Sequence, residues 1–333
     1  MNLIIPMAGM GKRLRPHTLT TPKPLIPIAG KPIVQRLVED IAKVTPDKIE
    51  KIGFVIGDFG KVVEEQLIQI AASVGAEGKI FYQEEALGTA HAVDCAKELL
   101  HGKVSVAFAD TLFRAEFTLD TDQDGIIWVK EIEDPSAFGV VKENASGIIT
   151  EFIEKPKEPV SNKAIIGIYY FKDGEMLADE LKHLIENDIR GGGEFQLTMA
   201  LENLKQKGTK FKSGVVDEWL DCGNKNVTVE SNARYLGFIK DEELIQSKNL
   251  ENCQIIEPVF IGPNSVIKNS TIGPGVSIGA NARIESAKIE HSLIQADCEL
   301  VDVSLSNSML GNSVKVSTFA GELSLGDFSE ISH

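Results

Sequence analysis

The sequence predicts an α/β protein in two parts. The first is a mostly parallel sheet with helices on both faces, and the second is a parallel β-helix. Two observations carry this reading. Over the first two thirds, short apolar runs alternate with stretches of helical spacing, and from about residue 255 aliphatic residues recur every five or six positions. A third observation, the uneven placement of charge, indicates where an anionic ligand would sit.

The elements follow in order. NLIIPM (2–7) is a buried-strand candidate followed by a glycine loop, PIVQRLVEDIAKV (32–44) has helical spacing, and KIGFVIG (51–57) is a second strand. KVVEEQLIQIAASV (61–74) is helical, KIFYQ (79–83) is a strand, GTAHAVDCAKELL (88–100) is helical, and VSVAFAD (104–110) is a strand ending in an acid. A β-α-β-α order implies parallel strands, because each crossover needs a helix. Ligands bind at the C-terminal ends of such strands, so the loops after residues 7, 83 and 110 should share one cleft. A helical stretch at about 227–247 closes this part. The expected domains are 1–235, a helical connector 236–252, and a coil domain 253–333.

In the last part the recurring aliphatics are Ile261, Ile267, Ile272, Ile278, Ile284, Ile289, Ile294, Leu300, Leu305, Leu310 and Val316. Three sides of this spacing make coils of 16 or 17 residues, with turn residues following in IGPNSV, IGPGVS and IGANAR. Each such coil buries its aliphatics only by stacking on its neighbours. An antiparallel domain would show period two and hairpin turns instead.

Composition excludes several classes. The chain has 333 residues, 43% hydrophobic and 25% charged, which suits a globular protein with a large core. No apolar run approaches the ~20 residues of a membrane span, and the N-terminus lacks a basic leader. Four scattered cysteines (Cys95, Cys222, Cys253, Cys298) form no CxxC pair, so reduced thiols and a cytoplasmic location are expected. A net charge of −15 argues against nucleic acid and anionic membranes. Yet residues 1–38 hold Lys12, Arg13, Arg15, Lys23, Lys31 and Arg36 and no acid, whereas residues 241–333 hold 13 acids and 5 bases. The basic segment is therefore a local anion-site candidate.

Within it, Gly9-Met10-Gly11-Lys12-Arg13 follows the first strand. It fails as a dinucleotide fingerprint, since Leu14 stands where a third glycine is needed. It also fails as a P-loop, since Pro6 and Arg13 replace the first glycine and the Ser or Thr. Two glycines still let backbone N–H groups approach a phosphate closely. Taken alone, the loop could equally be a structural turn. Lys23 lies between Pro22 and Pro24, which points to an extended backbone presenting the amine at a defined place.

MAGMGKRLRP followed by PKPLIPIAGKP resembles the opening signature of the sugar-1-phosphate nucleotidylyltransferases. Four further blocks match that family in order: YQEEALGTAHA (82–92), VAFADT (106–111), FGVV with ITEFIEKP (138–141 and 149–156), and WLDCG (219–223). The coil repeat resembles the hexapeptide left-handed β-helix, so the likeness covers nearly the whole chain. It implies a Rossmann-like, mostly parallel sheet of the nucleotidyltransferase type, then a left-handed β-helix. The implied reaction joins an NTP to a hexose 1-phosphate and releases pyrophosphate.

The resemblance also implies roles. Ala8, Gly9, Gly11, Lys12 and Arg13 would meet the nucleotide, with Arg13 clamping the triphosphate by its planar fork. Lys23 would stabilise charge at the transferring phosphate, since both reactants are anions that must be held in line. Asp110 and Asp221 are hard oxygen donors suited to Mg2+, the implied cofactor. Gln83 with the Gly88-Thr89 turn would read the base. Lys155 would hold the sugar phosphate, and Gly139, Glu154, Gly167 and Glu194 would meet the sugar ring. Lys12, Thr111, Met199 and Ile166 depart from the family's commonest residues at their positions, which weakens any transfer of hexose identity.

DTDQDGIIWVKE (120–131) matches an EF-hand loop in full, but its second half reads as a strand and Asp134-Pro135 follows instead of an exit helix. The favoured partners are glucose 1-phosphate with dTTP or UTP. N-acetylglucosamine 1-phosphate with UTP is next and mannose 1-phosphate with GTP third. Other classes are a bifunctional enzyme whose β-helix transfers acetyl groups with His291 as base, and a non-enzymatic assembly subunit. The β-helix is expected to drive homo-oligomerisation.

Overall fold

The computed structural model describes residues 1–9 and 11–332. Its packing divides the chain into two compact units, one of Met1–Gly9 with Leu37–Trp219, the other of Met10–Arg36 with Leu220–His333.

The first unit is built on strands β1 (Asn2–Pro6), β2 (Lys51–Ile56), β3 (Glu77–Tyr82) and β4 (Val104–Ala107). They lie parallel in the order β4-β1-β2-β3. Helices α1 (Ile33–Val44), α2 (Lys61–Ser73) and α3 (Thr89–Asp94) make the crossovers. These are the expected elements, with α3 shortened and followed by a separate 3-10 turn at Lys97–Leu99. Strand β1 is buried along its whole length, and apolar after Asn2, because it is central in the parallel array.

Strand β4 stops at Ala107, not at Asp110 as expected. Beyond it the Phe108 amide donates to the Gly167 carbonyl at 2.9 Å, so the ladder passes to another strand and Asp110 falls in a turn before β5 (Thr111–Arg114). The sheet is extended by antiparallel strands: β6 (Gly125–Glu131), β7 (Gly139–Glu143), β8 (Ile149–Glu154) and β9 (Lys163–Phe171). Strand β9 pairs with β4, β6 and β7, and β10 (Phe211–Val215) lies parallel to β6. The EF-hand-like segment is thus mostly strand β6. Helices α4 (Gly174–Glu186) and α5 (Leu197–Gln206) join Ile4, Val106, Ile127, Tyr169 and Phe211 in one core. Strand β11 (Glu218–Asp221) ends this stretch of chain.

The second unit contains α6 (Lys225–Phe238) and the coil stack. The expected helix to residue 247 ends at Phe238. Gln246 instead donates its amide to Ile261 O (2.8 Å) and Leu244 accepts from Ile261 N (2.9 Å), so extended backbone replaces helix in the connector. Strands stack in parallel from Asn249–Glu251 onward. The partners Asn249↔Val266, Val266↔Arg283, Arg283↔Glu299, Glu299↔Lys315 and Lys315↔Glu330 set coils of 17, 17, 16, 16 and 15 residues. All eleven predicted aliphatics are buried in one core. The corners use left-handed backbone at Asn252, Asn264, Asn269, Asn281, Asp297, Asp302 and others, residue types that tolerate it. Their side chains form ladders, Asn264 to Asn281 at 3.3 Å and Asn281 to Asp297 at 3.1 Å.

Candidate functional site

The cationic segment belongs to the second unit. Its single 3-10 turns are Lys12–Leu14, His17–Leu19 and Lys23–Leu25. Gly11 has φ 56°, and a Cβ there would come within 2.9 Å of Lys23 Cβ. Only glycine meets both conditions. Thr18 Oγ1 donates to Gly11 O at 2.9 Å and closes the loop. Buried Leu14 anchors it, leaving Lys12 and Arg13 exposed. Lys23 is only 7% exposed. Its backbone is not extended as expected but opens the 3-10 turn, with Leu25 N bonded to Pro22 O at 2.8 Å. Pro24 fits that turn because an early helical position needs no N–H donor.

Asp221 also lies in this unit, at the end of β11, and its carbonyl accepts from Ser231 Oγ of α6 at 2.7 Å. A Cβ on Gly223 would stand 2.8 Å from Asp221 Oδ2 and 3.4 Å from Arg13 Nη2. The carboxylate and the guanidinium therefore flank one glycine. Five of the predicted residues, Gly11, Lys12, Arg13, Lys23 and Asp221, are gathered in one unit from positions up to 210 residues apart. Met10 of this loop lies outside the described residues. Ala8 and Gly9 follow β1 in the first unit, with open space where a Gly9 Cβ would be.

The first unit gathers the remaining residues. Gln83 follows β3 and its Nε2 reaches Gly88 O at 3.2 Å and His91 Nδ1 at 3.1 Å. Both amide hydrogens are then engaged, so the free face of Gln83 is its carbonyl oxygen, an acceptor. Gly88 has φ 121°, and any Cβ would lie 2.4 Å from Phe195 O and 3.0 Å from Glu194 Cβ. Thr89 Oγ1 accepts from Leu197 N at 2.9 Å, and Phe195 N bonds Leu87 O at 2.8 Å. The Gly88-Thr89 turn and the segment bearing Glu194 are thereby clasped together.

Gly167 lies in the middle of β9, Gly139 and Glu154 are on β7 and β8 with Lys155 just after β8, and Asp110 follows β4. Glu154 Oε2 accepts from Thr198 Oγ1 at 3.1 Å and would be 3.1 Å from a Cβ on Gly139. Lys155 Nζ is 3.8 Å from Glu154 Oε1, and its backbone has φ 42°. Gly167 (φ 84°) packs on Phe108, whose ring meets Tyr169 edge-on at 6.3 Å. The buried Tyr169 hydroxyl is pushed well above its usual pKa, first by burial and then by the negative charges of Glu154 and Asp110. His91, Thr198 and Tyr169 were not picked out in the sequence. His91 sits inside the recognised block LGTAHA, whereas Thr198 and Tyr169 are reached only through the strand and helix packing.

His291 is exposed at a coil corner with φ 41°, its amide bonded to Pro274 O at 2.8 Å. Among the described residues no helix is long and apolar enough to cross a membrane. The second unit thus offers cations and one carboxylate, which suits phosphates. The first offers an amide acceptor, carboxylates and close-approach glycines, which suits a base and sugar hydroxyls.

Comparison with known proteins identifies the family. Residues 3–237 match the nucleotidyl transferase family and residues 252–286 match the bacterial transferase hexapeptide (six repeats) family. The chain is 30% identical to the low-salt glycan biosynthesis nucleotidyltransferase Agl11 of Haloferax volcanii, over 95% of this chain and 94% of that protein. It is 28% identical to a glucose-1-phosphate thymidylyltransferase of Streptomyces antibioticus over 99% of both. It is 30% identical to the bifunctional protein GlmU of Methanococcus maripaludis, over 90% of this chain and 78% of that protein. A solved Bacillus anthracis structure shares the fold with TM-score 0.57 and 22% identity, over 70% of this chain and 94% of that one. The chain therefore belongs to the nucleotidyl transferase family, with a hexapeptide-repeat β-helix as its C-terminal part, and it is an enzyme.

Proposed function

We propose that the protein transfers a nucleotidyl group from an NTP to a hexose 1-phosphate and serves nucleotide-sugar biosynthesis. The favoured pair is glucose 1-phosphate with dTTP or UTP. The observation that carries the reading is the acid-free cationic segment, where Gly11 brings Lys23 against the loop bearing Lys12 and Arg13. A phosphate oxygen of the sugar phosphate attacks the α-phosphorus of the NTP, a new P–O bond forms, and the bond to the leaving pyrophosphate breaks. Arg13 and Lys12 hold the triphosphate, and Lys23 offsets charge on the transferring phosphate. Lys155 binds the sugar phosphate, while Glu154, Glu194, Gly139 and Gly167 receive the sugar. Residues 1–235 would carry this transfer.

The acceptor oxygen that Gln83 presents suits a base with a ring N–H donor, as thymine and uracil have and cytosine lacks. Asp110 and Asp221 would hold Mg2+, which would neutralise charge on the phosphates when bound. Their carboxylate oxygens are the donors this ion takes. Among the described residues no cluster of three or more His, Cys, Asp or Glu gathers. The coil domain, residues 253–333, would support homo-oligomers through exposed apolar side chains such as Val301 and Phe328. Light scattering that finds only monomer at micromolar concentration would end that part of the reading.

The test is pyrophosphate release across dTTP, UTP, GTP, CTP and ATP with glucose, N-acetylglucosamine and mannose 1-phosphates in Mg2+. Turnover should be highest with dTTP or UTP and glucose 1-phosphate. A preference for N-acetylglucosamine 1-phosphate with UTP, or mannose 1-phosphate with GTP, would redirect the substrate assignment. No turnover with any pair would overturn the function.

A further inference from the structure

The segment from Gly11 to Leu25 carries Lys12, Arg13 and Lys23, yet it has no strand or α-helix of its own. Three isolated 3-10 turns cannot fix three cations to the sub-ångström tolerance that phosphate chemistry demands. Support comes from the far end of the same unit, in the last coils of the β-helix. Pro16 packs on Gly326, where an added Cβ would lie 3.1 Å from Pro16 Cβ. His17, 1% exposed, places Nε2 at 3.1 Å from Ser324 Oγ. Thr20 Oγ1 donates to Asp327 Oδ2 at 2.8 Å.

Asp327 is itself held in place. Its Oδ1 accepts from Asn312 N at 2.8 Å and its Oδ2 from Asn312 Nδ2 at 3.4 Å, so one coil fixes the carboxylate that the next element uses. Thr20 stands three residues before Lys23, and His17 four after Arg13. The coil stack also holds the chain that follows Asp221. Lys225, at the start of α6, pairs with Glu322 and bonds Asn307 O. The buried Asn232 of α6 accepts from Ala29 N at 2.9 Å and from Ser277 Oγ at 2.7 Å.

We propose that the terminal coil, residues 324–327, is a positioning element for the nucleotide: Asp327 acting through Thr20, and Ser324 through His17, hold Arg13 and Lys23 in the geometry that receives a triphosphate. This rests on the transferase reading above. A coil that merely tethers the segment would affect stability and both substrates alike. A positioning coil acts on the NTP selectively, because the cations it holds face the triphosphate and the sugar-binding residues belong to the other unit.

Steady-state kinetics of Asp327→Ala, Asp327→Asn, Thr20→Val and the double variant Thr20→Val/Asp327→Ala test this, with thermal unfolding measured on each. The substrates are whichever NTP and sugar 1-phosphate the wild type turns over best. Asp327→Ala and Thr20→Val should each raise KM for the NTP by roughly five- to tenfold, the size expected for losing one ordinary hydrogen bond. KM for the sugar phosphate should stay within about twofold of wild type. Asp327→Asn, which can still accept from Asn312 N and donate to Thr20, should recover most of the loss. The double variant should be no worse than Asp327→Ala, since both remove one bond. An unchanged KM for the NTP, an equal rise in both KM values, or additive losses in the double variant would each overturn the proposal while leaving the transferase reading intact. A wild type inactive with every pair would overturn both. Thr20→Val leaves the bonds between Asn312 and Asp327 in place, so it remains informative if Asp327→Ala does not fold.

Discussion

The sheet unit and the coil unit obtain their order by different routes. In the sheet unit, one core draws residues from almost every strand and helix, from Ile4 to Phe211. Its functional groups are braced by near neighbours in that core, as Thr198 braces Glu154 and Phe195 walls in Gly88. In the coil unit, Ile267, Ile284, Leu300 and Val316 stack on one another from coil to coil, and left-handed Asn and Asp corners turn the chain. Its functional segment, residues 11–25, is braced by a coil some 300 residues further on. The cations proposed for catalysis can therefore depend on coils, residues 253–333, that carry none of the proposed catalytic residues.

The largest effect should fall on those cations. Arg13→Ala and Lys23→Ala should each lower kcat by roughly 100- to 1000-fold, the usual loss for one preorganised donor. A fall of less than about tenfold in pyrophosphate release would remove that residue from the chemistry. Next comes core packing. Ile289→Ala in the coil stack and Ile127→Ala in the sheet, both fully buried, should each cost about 3 kcal/mol. In urea, each substitution should shift chiefly the transition of its own unit. Identical shifts of a single transition would show that the two units do not unfold separately.

A pH effect of comparable size should come from His17. Burial lowers its pKa from 6.5 to about 4, with Asp327 opposing the shift and Lys225 adding to it. The unfolded chain binds this proton more readily between those values. Stability is therefore fully present above about pH 6.5 and lost as pH falls toward 4, by at most about 3 kcal/mol. Urea midpoints measured across pH 4 to 7 should fall less steeply on acidification in His17→Gln. An equal slope would show that His17 does not carry the effect. The smallest change is at a corner. Asn281→Ala loses a residue type suited to φ 59° and two side-chain bonds, costing about 1 kcal/mol in the coil transition.

Much of this was legible in the residues. The five- and six-residue aliphatic period identified the coil stack because a solenoid core admits apolar side chains only at its inward positions, and all eleven named aliphatics are buried. The parallel strands were legible because burial on both faces demands continuous apolar runs such as LII and VSVA. The antiparallel extension was less visible, since β7 and β8 mix Lys, Glu and Thr with apolar residues and face solvent on one side. The strand ending at Ala107 and the 3-10 turn at Lys23 also departed from local expectation. In each case hydrogen bonds from a distant or neighbouring segment decided the backbone.

The sequence by itself determined the fold class, the family and the sign of charge at the phosphate segment, because these depend on residue type and spacing. Only the tertiary structure decided which unit that segment joins. It also decided that Gln83 presents an oxygen and that His17 and Thr20 lean on the final coil. Those outcomes turn on hydrogen bonds between groups far apart in the chain, and no local pattern of residues encodes which distant partner closes them.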